Sequence, residues 1–300
     1  MRGKTRSGLA PACWEGAAQK DIGWEQKTPE GGEVTASIIY KEGRTVKRVK
    51  VRIYSGVVCE MKVFNVPGWA DVKKAKPPRP RFKDEAEREA HRLAISRRHN
   101  IQLVNANFSP TSLYSTLTLD DGHEVHIFPE ARKLRDNFVR GIKRLYRDAR
   151  LMIYMGRGKS THRIHFHMLS EGVPEDVILK LWRYGEIKRC DHLRAHNTYN
   201  GVDHGQDYTG LANYLFNHWT PEQGGRRRWK QTANLLRPDK KKPVEVKREY
   251  SEQHPPRAPK GYILVESKNT KYGYCYFKFV LKPSPRNRTG RKTAGLAAGL

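Results

Sequence analysis

A chain of 300 residues, 37% hydrophobic and 10% aromatic, can bury a core in one large domain or two modest ones, which excludes disorder throughout. Its 58 Lys and Arg against 31 Asp and Glu leave a formal charge of +27. That field attracts polyanions and points first to nucleic acid, with a merely well-solvated basic protein as the plain alternative. No apolar run approaches the ~18 residues of a membrane-spanning helix, and no membrane partner is expected. The opening stretch MRGKTRSGLAPACWEGAAQ lacks the apolar segment of a secretory signal. Cys13, Cys59, Cys190 and Cys275 lie far apart with no CxxC pair, which argues against a zinc ribbon and fits reduced thiols in a cytoplasm.

Residues 1–32 read as a flexible basic tail, and 33–66 as β-hairpin material: Val34, Ile38 and Ile39, a turn at Gly43, Val49 to Ile53, then Val57 to Phe64 after Gly56. A Pro-rich basic linker follows over 67–83, where KKAKPPRPRFK forbids regular structure. From Asp84 to Asn107 the period is helical, with a stripe of Ala86, Ala90, Leu93, Ala94 and Ile101. SLYSTLTL (112–119) alternates like a strand and ends at Asp121-Gly122. Pro129 and Glu130 open a helix striped by Leu134, Phe138, Ile142 and Leu145. RLMIYMG and HRIHFHML make a hairpin, EDVILKLWRY a helix stopped at Gly185, and EIKRCDHLRAH a fourth strand. GQDYTGLANYLFNHW (205–219) is a further helix, and 261–282 a last hairpin before a mobile tail from 283 to 300. The order predicts an α+β fold with a central antiparallel sheet and helices packed on one face, flanked by β-hairpins. The central unit spans 84–240, and 241–282 is expected to pack on it.

Within HRIHFHML, His165 and His167 stand two apart on a strand and so share one face, with Ile164, Phe166 and Met168 on the other. The pair is either two arms of a metal site or histidines that only pack or face solvent. A divalent ion held by neutral imidazoles would polarise a phosphate oxygen. A tyrosine attacking DNA would conserve the phosphodiester energy in a covalent phosphotyrosine, and a Tyr-bearing helix follows about fifty residues downstream.

Four stretches, in this order and spacing, resemble the HUH endonucleases, specifically rolling-circle replication initiators of plasmids and phages of Gram-positive type. NANFSPTSLYSTLTLDD (105–121) is similar to the family's first motif, and HRIHFHML to its His-hydrophobic-His motif. YTGLANYLFNHWTPEQGGRRRWKQTANLLRP is similar to the tyrosine helix with its basic Arg-Trp segment, and PKGYILVESKNTKYGYCYFKFVLK to the end of such initiators. The resemblance covers about Glu85 to Lys282. It implies His165 and His167 as metal ligands, Mg or Mn as the ion, and Tyr214 as the nucleophile. The implied substrate is single-stranded DNA at a replication origin, left with a 5′-phosphotyrosine and a free 3′-hydroxyl. The implied setting is a bacterial host cytoplasm whose polymerase extends that hydroxyl. No GxxxxGK[ST] loop is present, so a host helicase is expected to unwind the template.

The chain departs from the family pattern in two places. The positions after Tyr214 are Asn217 and His218, so neither a lysine nor a second tyrosine follows on the helix; a single-tyrosine enzyme is expected, with His218 as a polar helper. The third ligand is open among Glu124, His126 and Asp207, because Met155 stands where relatives often carry a Glu. Tyr208, about 240° from Tyr214 around a helix, is expected to pack. Arg226, Arg227, Arg228 and Lys230, beside Trp229, are expected to clamp DNA phosphates. Tyr272, Tyr274 and Tyr276 share a strand face, either for packing or for stacking on bases. Two rivals remain: a non-catalytic basic DNA- or RNA-binding protein, and a metal-dependent nuclease that uses water.

Overall fold

The computed structural model describes residues 46–67, 84–123, 125–158, 162–220, 223, 228–270 and 274–282. The expected N-terminal tail, the first strand near Ile38, the linker beyond Pro67, Glu124, Arg226, Arg227, Tyr272 and the C-terminal tail lie outside them.

Two large antiparallel sheets, a two-stranded β-ribbon and four α-helices make up the described fold, a mixed α+β arrangement. The strands are β1 (Val46–Ser55), β2 (Val58–Pro67), β3 (Leu113–Thr118), β4 (Arg150–Arg157), β5 (Ile164–Glu171) and β6 (Ile187–His192). Then come the two-residue strands β7 (Thr198–Tyr199), β8 (Val202–Asp203), β9 (Lys230–Gln231), β10 (Asp239–Lys240) and β11 (Val244–Glu245), and finally β12 (Tyr262–Asn269) and β13 (Cys275–Leu281). The helices are α1 (Glu85–Asn107), α2 (Phe128–Leu145), α3 (Glu175–Leu181) and α4 (Thr209–Phe216). The central sheet runs β6-β3-β5-β4-β9, which puts the histidine strand in the middle. The second sheet runs β10-β1-β2-β13-β12, so the two hairpins at opposite ends of the sequence meet through β2 and β13.

Helices cover both faces of the central sheet, not one. On the first face Leu113, Leu117, Ile153, Phe166 and Met168 pack against Phe138 and Ile142 of α2 and Ile178 of α3, with Trp182 just beyond it. The second face carries Tyr114, Met152, Tyr154 and Leu169, and against it lie Leu103 and Val104 of α1 and Ala212 and Leu215 of α4. A one-face expectation follows naturally from alternation, because a polar residue under a helix reads in sequence like a polar residue in water.

Helix α1 shows the same effect. Asp84 caps it, its side chain accepting from the Glu87 amide at 2.7 Å. Its buried face is Asn100, Leu103, Val104, Asn105 and Asn107, not the Ala86–Leu93–Ile101 stripe. The asparagines make hydrogen bonds across the layers, though Nδ2 of Asn105 has no partner. Asn100 donates to the Ala212 carbonyl at 2.9 Å and accepts from the Tyr154 hydroxyl at 2.7 Å. Asn105 accepts from the Tyr208 amide at 2.8 Å, and Asn107 pairs with the backbone of Leu236. In α2, Phe138 and Ile142 are buried as expected, but Leu145 at the helix end is exposed.

The two sheets are tied at buried points. Gln102 of α1 hydrogen-bonds Glu60 of β2. Lys278 of β13 meets Asp207 at 2.6 Å and the Thr209 hydroxyl at 2.7 Å, anchoring the start of α4. Gly56 turns β1 into β2 at φ +56°, and a Cβ there would lie 2.1 Å from the Asn105 carbonyl oxygen. Only glycine fits that approach.

Candidate metal centre and nucleophile

Strand register builds the site. Thr116 of β3 lies opposite His167, and Thr118 opposite His165; on the other side, Tyr154 and Gly156 of β4 face His167 and His165. Residues paired across antiparallel strands share a face. Met155 therefore points into the opposite core, and the β4 residue that adjoins the histidines is Gly156. A Cβ on Gly156 would stand 2.8 Å from Nε2 of His165 and 3.0 Å from Cδ2 of His218. The missing side chain makes room for those two rings.

Helix α4 crosses this face and carries Tyr214 over it, while the turn just past its C-cap Asn217 delivers His218. The His165 and His167 ring centroids are 4.9 Å apart, and His218 lies 4.3 Å from His167 and 5.9 Å from His165. One nitrogen from each ring falls within 4.8 Å of the others, the group among the described residues that could hold a metal ion. The third member is thus His218. Asp207 is spent on Lys278, Thr209 and His204, and His126 sits in the loop before α2, outside this group.

Each ring has one nitrogen held by a protein oxygen. Nδ1 of His167 lies 2.8 Å from the Tyr114 hydroxyl, and Nδ1 of His218 lies 2.9 Å from the Tyr214 carbonyl, to which it donates. His165 donates to the Arg163 carbonyl. Nε2 of His167 is buried without a hydrogen-bond partner. Metal-binding histidines are ordinarily anchored this way, one nitrogen to an oxygen and the other to the ion. Burial, then the neighbouring imidazoles, lower the His167 ring to about 2; burial, then His218, lower His165; burial lowers His218 despite its bond to the Tyr214 carbonyl. All three shifts favour the neutral ring, the form a ligand needs.

Tyr214 stands beside this cluster, its ring centroid 4.4 Å from His218 and 5.8 Å from His167. It is 37% exposed, whereas Tyr114, Tyr154 and Tyr208 on the same side of the sheet are 5%, 0% and 2% exposed. Among those four, a macromolecular substrate can reach only Tyr214. Burial raises the Tyr214 phenol, against which a hydrogen bond from Tyr114 and the Arg189 guanidinium act to lower it. Tyr114 itself is pushed up to about 12, chiefly by burial. Arg189, on β6 opposite Thr116, holds its guanidinium 5.2 Å over the Tyr114 ring and pairs with Asp191 at 2.5 Å. Tyr208 points away, its hydroxyl donating to the Arg194 carbonyl.

The basic segment divides. Arg228 lies 4.1 Å over the Trp219 ring and 4.7 Å over Phe216, and Arg97 of α1 lies 5.1 Å from the same Phe216 ring. Two guanidiniums are thus gathered next to the tyrosine helix. Trp229 is partly buried against the second-face core, its indole donating to Gln231. Lys230 is exposed on β9 and lines an open groove with Lys133 and Arg140. Tyr276 donates to the buried Glu60 carboxylate, a packing role between β13 and β2.

Sequence reading overlooked Tyr114, Gly156 and Arg189. A signal for them existed in the alternation of β3, β4 and β6, once strand partners are known. Compared with protein-family models, curated proteins and solved structures, the chain matches none. Among the described residues no helix is long and apolar enough to cross a membrane.

Proposed function

We propose that the protein is a metal-assisted, single-strand DNA endonuclease and strand transferase of HUH type that initiates rolling-circle replication. The observation that carries the reading is the exposed Tyr214 ring packed 4.4 Å from His218 and 5.8 Å from His167, beside three imidazoles that each keep a nitrogen for an ion. The formal charge of +27 supports a polyanionic substrate, and the resemblance of four sequence stretches to rolling-circle initiators supports the biological setting.

Three imidazole donors favour Mn over Mg, which prefers oxygen ligands and holds its waters. A bound divalent ion would supply Lewis-acid polarisation of the scissile phosphate. His165, His167 and His218 would hold it, while Arg228 and Arg97 steer the backbone and Arg189 offsets charge near Tyr214, the place of the lysine absent from α4. The Tyr214 oxygen forms a bond to phosphorus as the bond to the 3′ oxygen breaks. The phenol gives up its proton, and the departing 3′ oxygen gains one. The strand is left as a 5′-phosphotyrosine with a free 3′-hydroxyl, and attack by a 3′-hydroxyl in the reverse sense reseals it. Host helicase and polymerase are the expected partners in a bacterial cytoplasm.

The test is incubation with single-stranded DNA drawn from the encoding replicon and Mn, followed by SDS electrophoresis. A covalent adduct is expected, absent from Tyr214→Phe. Cleavage that survives Tyr214→Phe would assign the reaction to water, and tight binding without cleavage would make the protein a binding module.

A further inference from the structure

Between the candidate metal ligand and the candidate nucleophile lies one hydroxyl, that of Tyr114. Its oxygen is 2.8 Å from Nδ1 of His167 and 3.4 Å from the Thr116 hydroxyl, which donates to it, and it hydrogen-bonds the Tyr214 hydroxyl. The ring is 5% exposed and stacks on His167 with 11° between planes, so it is fixed in place. A phenol has one proton to give and two lone pairs to receive.

The Thr116 hydroxyl also lies 3.3 Å from Nδ1 of His167, but the shorter bond is the one to Tyr114, and for the Tyr114 proton two arrangements remain. In one, Tyr114 donates to Nδ1 of His167, which places the imidazole proton on Nε2, buried and without an acceptor, and blocks the nitrogen an ion would need. In the other, Nδ1 of His167 donates to Tyr114, Tyr114 donates to the Tyr214 oxygen, and Nε2 keeps its lone pair toward His165 and His218. Only the second leaves no buried donor orphaned.

We infer that Tyr114 is a positioning residue whose hydroxyl fixes His167 in the Nδ1-protonated tautomer and turns its own proton onto Tyr214, joining nucleophile and metal ligand in one donor chain. The inference rests on the metal-site reading above and deepens it. Removing the Tyr214 oxygen frees the Tyr114 proton to turn onto His167, so loss of the nucleophile weakens metal binding even though Tyr214 is not counted among the ligands.

The test needs no DNA. Nitrogen-15 correlation spectra of the wild-type chain are expected to place the His167 proton on Nδ1; a proton on Nε2 overturns the inference without any variant. Mn titration followed by electron paramagnetic resonance is expected to show about 10–100-fold weaker binding for Tyr114→Phe, and about 3–10-fold weaker for Tyr214→Phe, with unchanged far-ultraviolet circular dichroism. The second figure is smaller because a tautomer biased the wrong way can still be reversed by the ion. Wild-type Mn affinity in both variants overturns the inference and leaves the metal site standing. A wild-type chain that binds no Mn sinks the metal reading and this inference together.

Discussion

On one face of the central sheet Phe166, Ile153 and Leu117 meet Phe138 and Trp182, and the contacts are aromatic edges and aliphatic side chains. On the other face, a residue away along the same strands, His165, His167, Tyr114, Thr116 and Tyr154 lie under α1 and α4, joined by hydrogen bonds. Both faces are covered by apolar packing, yet the second adds a layer of hydrogen-bonded side chains that the first lacks around Phe166. Apolar burial tolerates no lost volume, while a polar layer tolerates no lost partner. On the second face the buried Nε2 of His167, one of the three clustered imidazoles, has no protein partner, which suits a metal ligand.

The largest effect on stability is expected on the apolar face. Phe166→Ala removes a fully buried ring in contact with Trp182 and should cost about 3–5 kcal/mol in urea unfolding, while Mn affinity of the folded fraction stays at the wild-type value. A variant that lost both together would show that the faces are not separable.

Asp207→Asn comes next, about 3 kcal/mol at neutral pH, because it leaves the Lys278 ammonium buried and unpaired where α4 starts. Burial would raise the Asp207 carboxyl, but the hydrogen bond from His204, then Lys278 and Thr209, pull it well below the usual carboxylate range. A depressed carboxylate stabilises the fold above its unfolded pKa of about 4 and loses that contribution as pH falls further. Thermal melts of the wild type should therefore drop steeply below about pH 4, and those of Asp207→Asn should drop less. Equal acid slopes would contradict the role given to the pair.

Gly156→Ala is expected to cost about 1–3 kcal/mol, since its Cβ needs the space of the His165 and His218 rings. Unlike Phe166→Ala it should also weaken Mn binding, because the strain falls on two of the three ligands. The smallest stability change belongs to His167→Leu, about 1–2 kcal/mol, since removing the orphaned Nε2 partly offsets the Nδ1 bond that the buried Tyr114 hydroxyl loses. Mn binding should nevertheless vanish. A His167→Leu chain that unfolds readily would make the ring a structural member, as the rival binding-protein reading requires.

How much of this was legible in the sequence follows from the same contrast. Strand period put His165 and His167 on one side and Phe166 on the other, and helical period marked the α4 stretch that bears Tyr214. The covering of the histidine face was not legible, because α1 buries Asn100, Asn105 and Asn107, whose polarity mimics a wet surface. Nor were Gly156 and Tyr114, whose importance lies in register with β5, a property of strand pairing that no single segment encodes. His218, at the C-terminal end of the α4 stretch, was visible as a polar residue one turn after Tyr214. Its place beside the pair depends on how α4 crosses the sheet.

The account stands or falls on which atom takes the phosphate. Proteolysis of the adduct formed on single-stranded DNA with Mn, followed by mass spectrometry of the nucleotide-bearing peptide, should find the 5′-phosphate esterified to Tyr214. Cut DNA bearing a free 5′-phosphate and no peptide, or a nucleotide carried by any residue other than Tyr214, would contradict it.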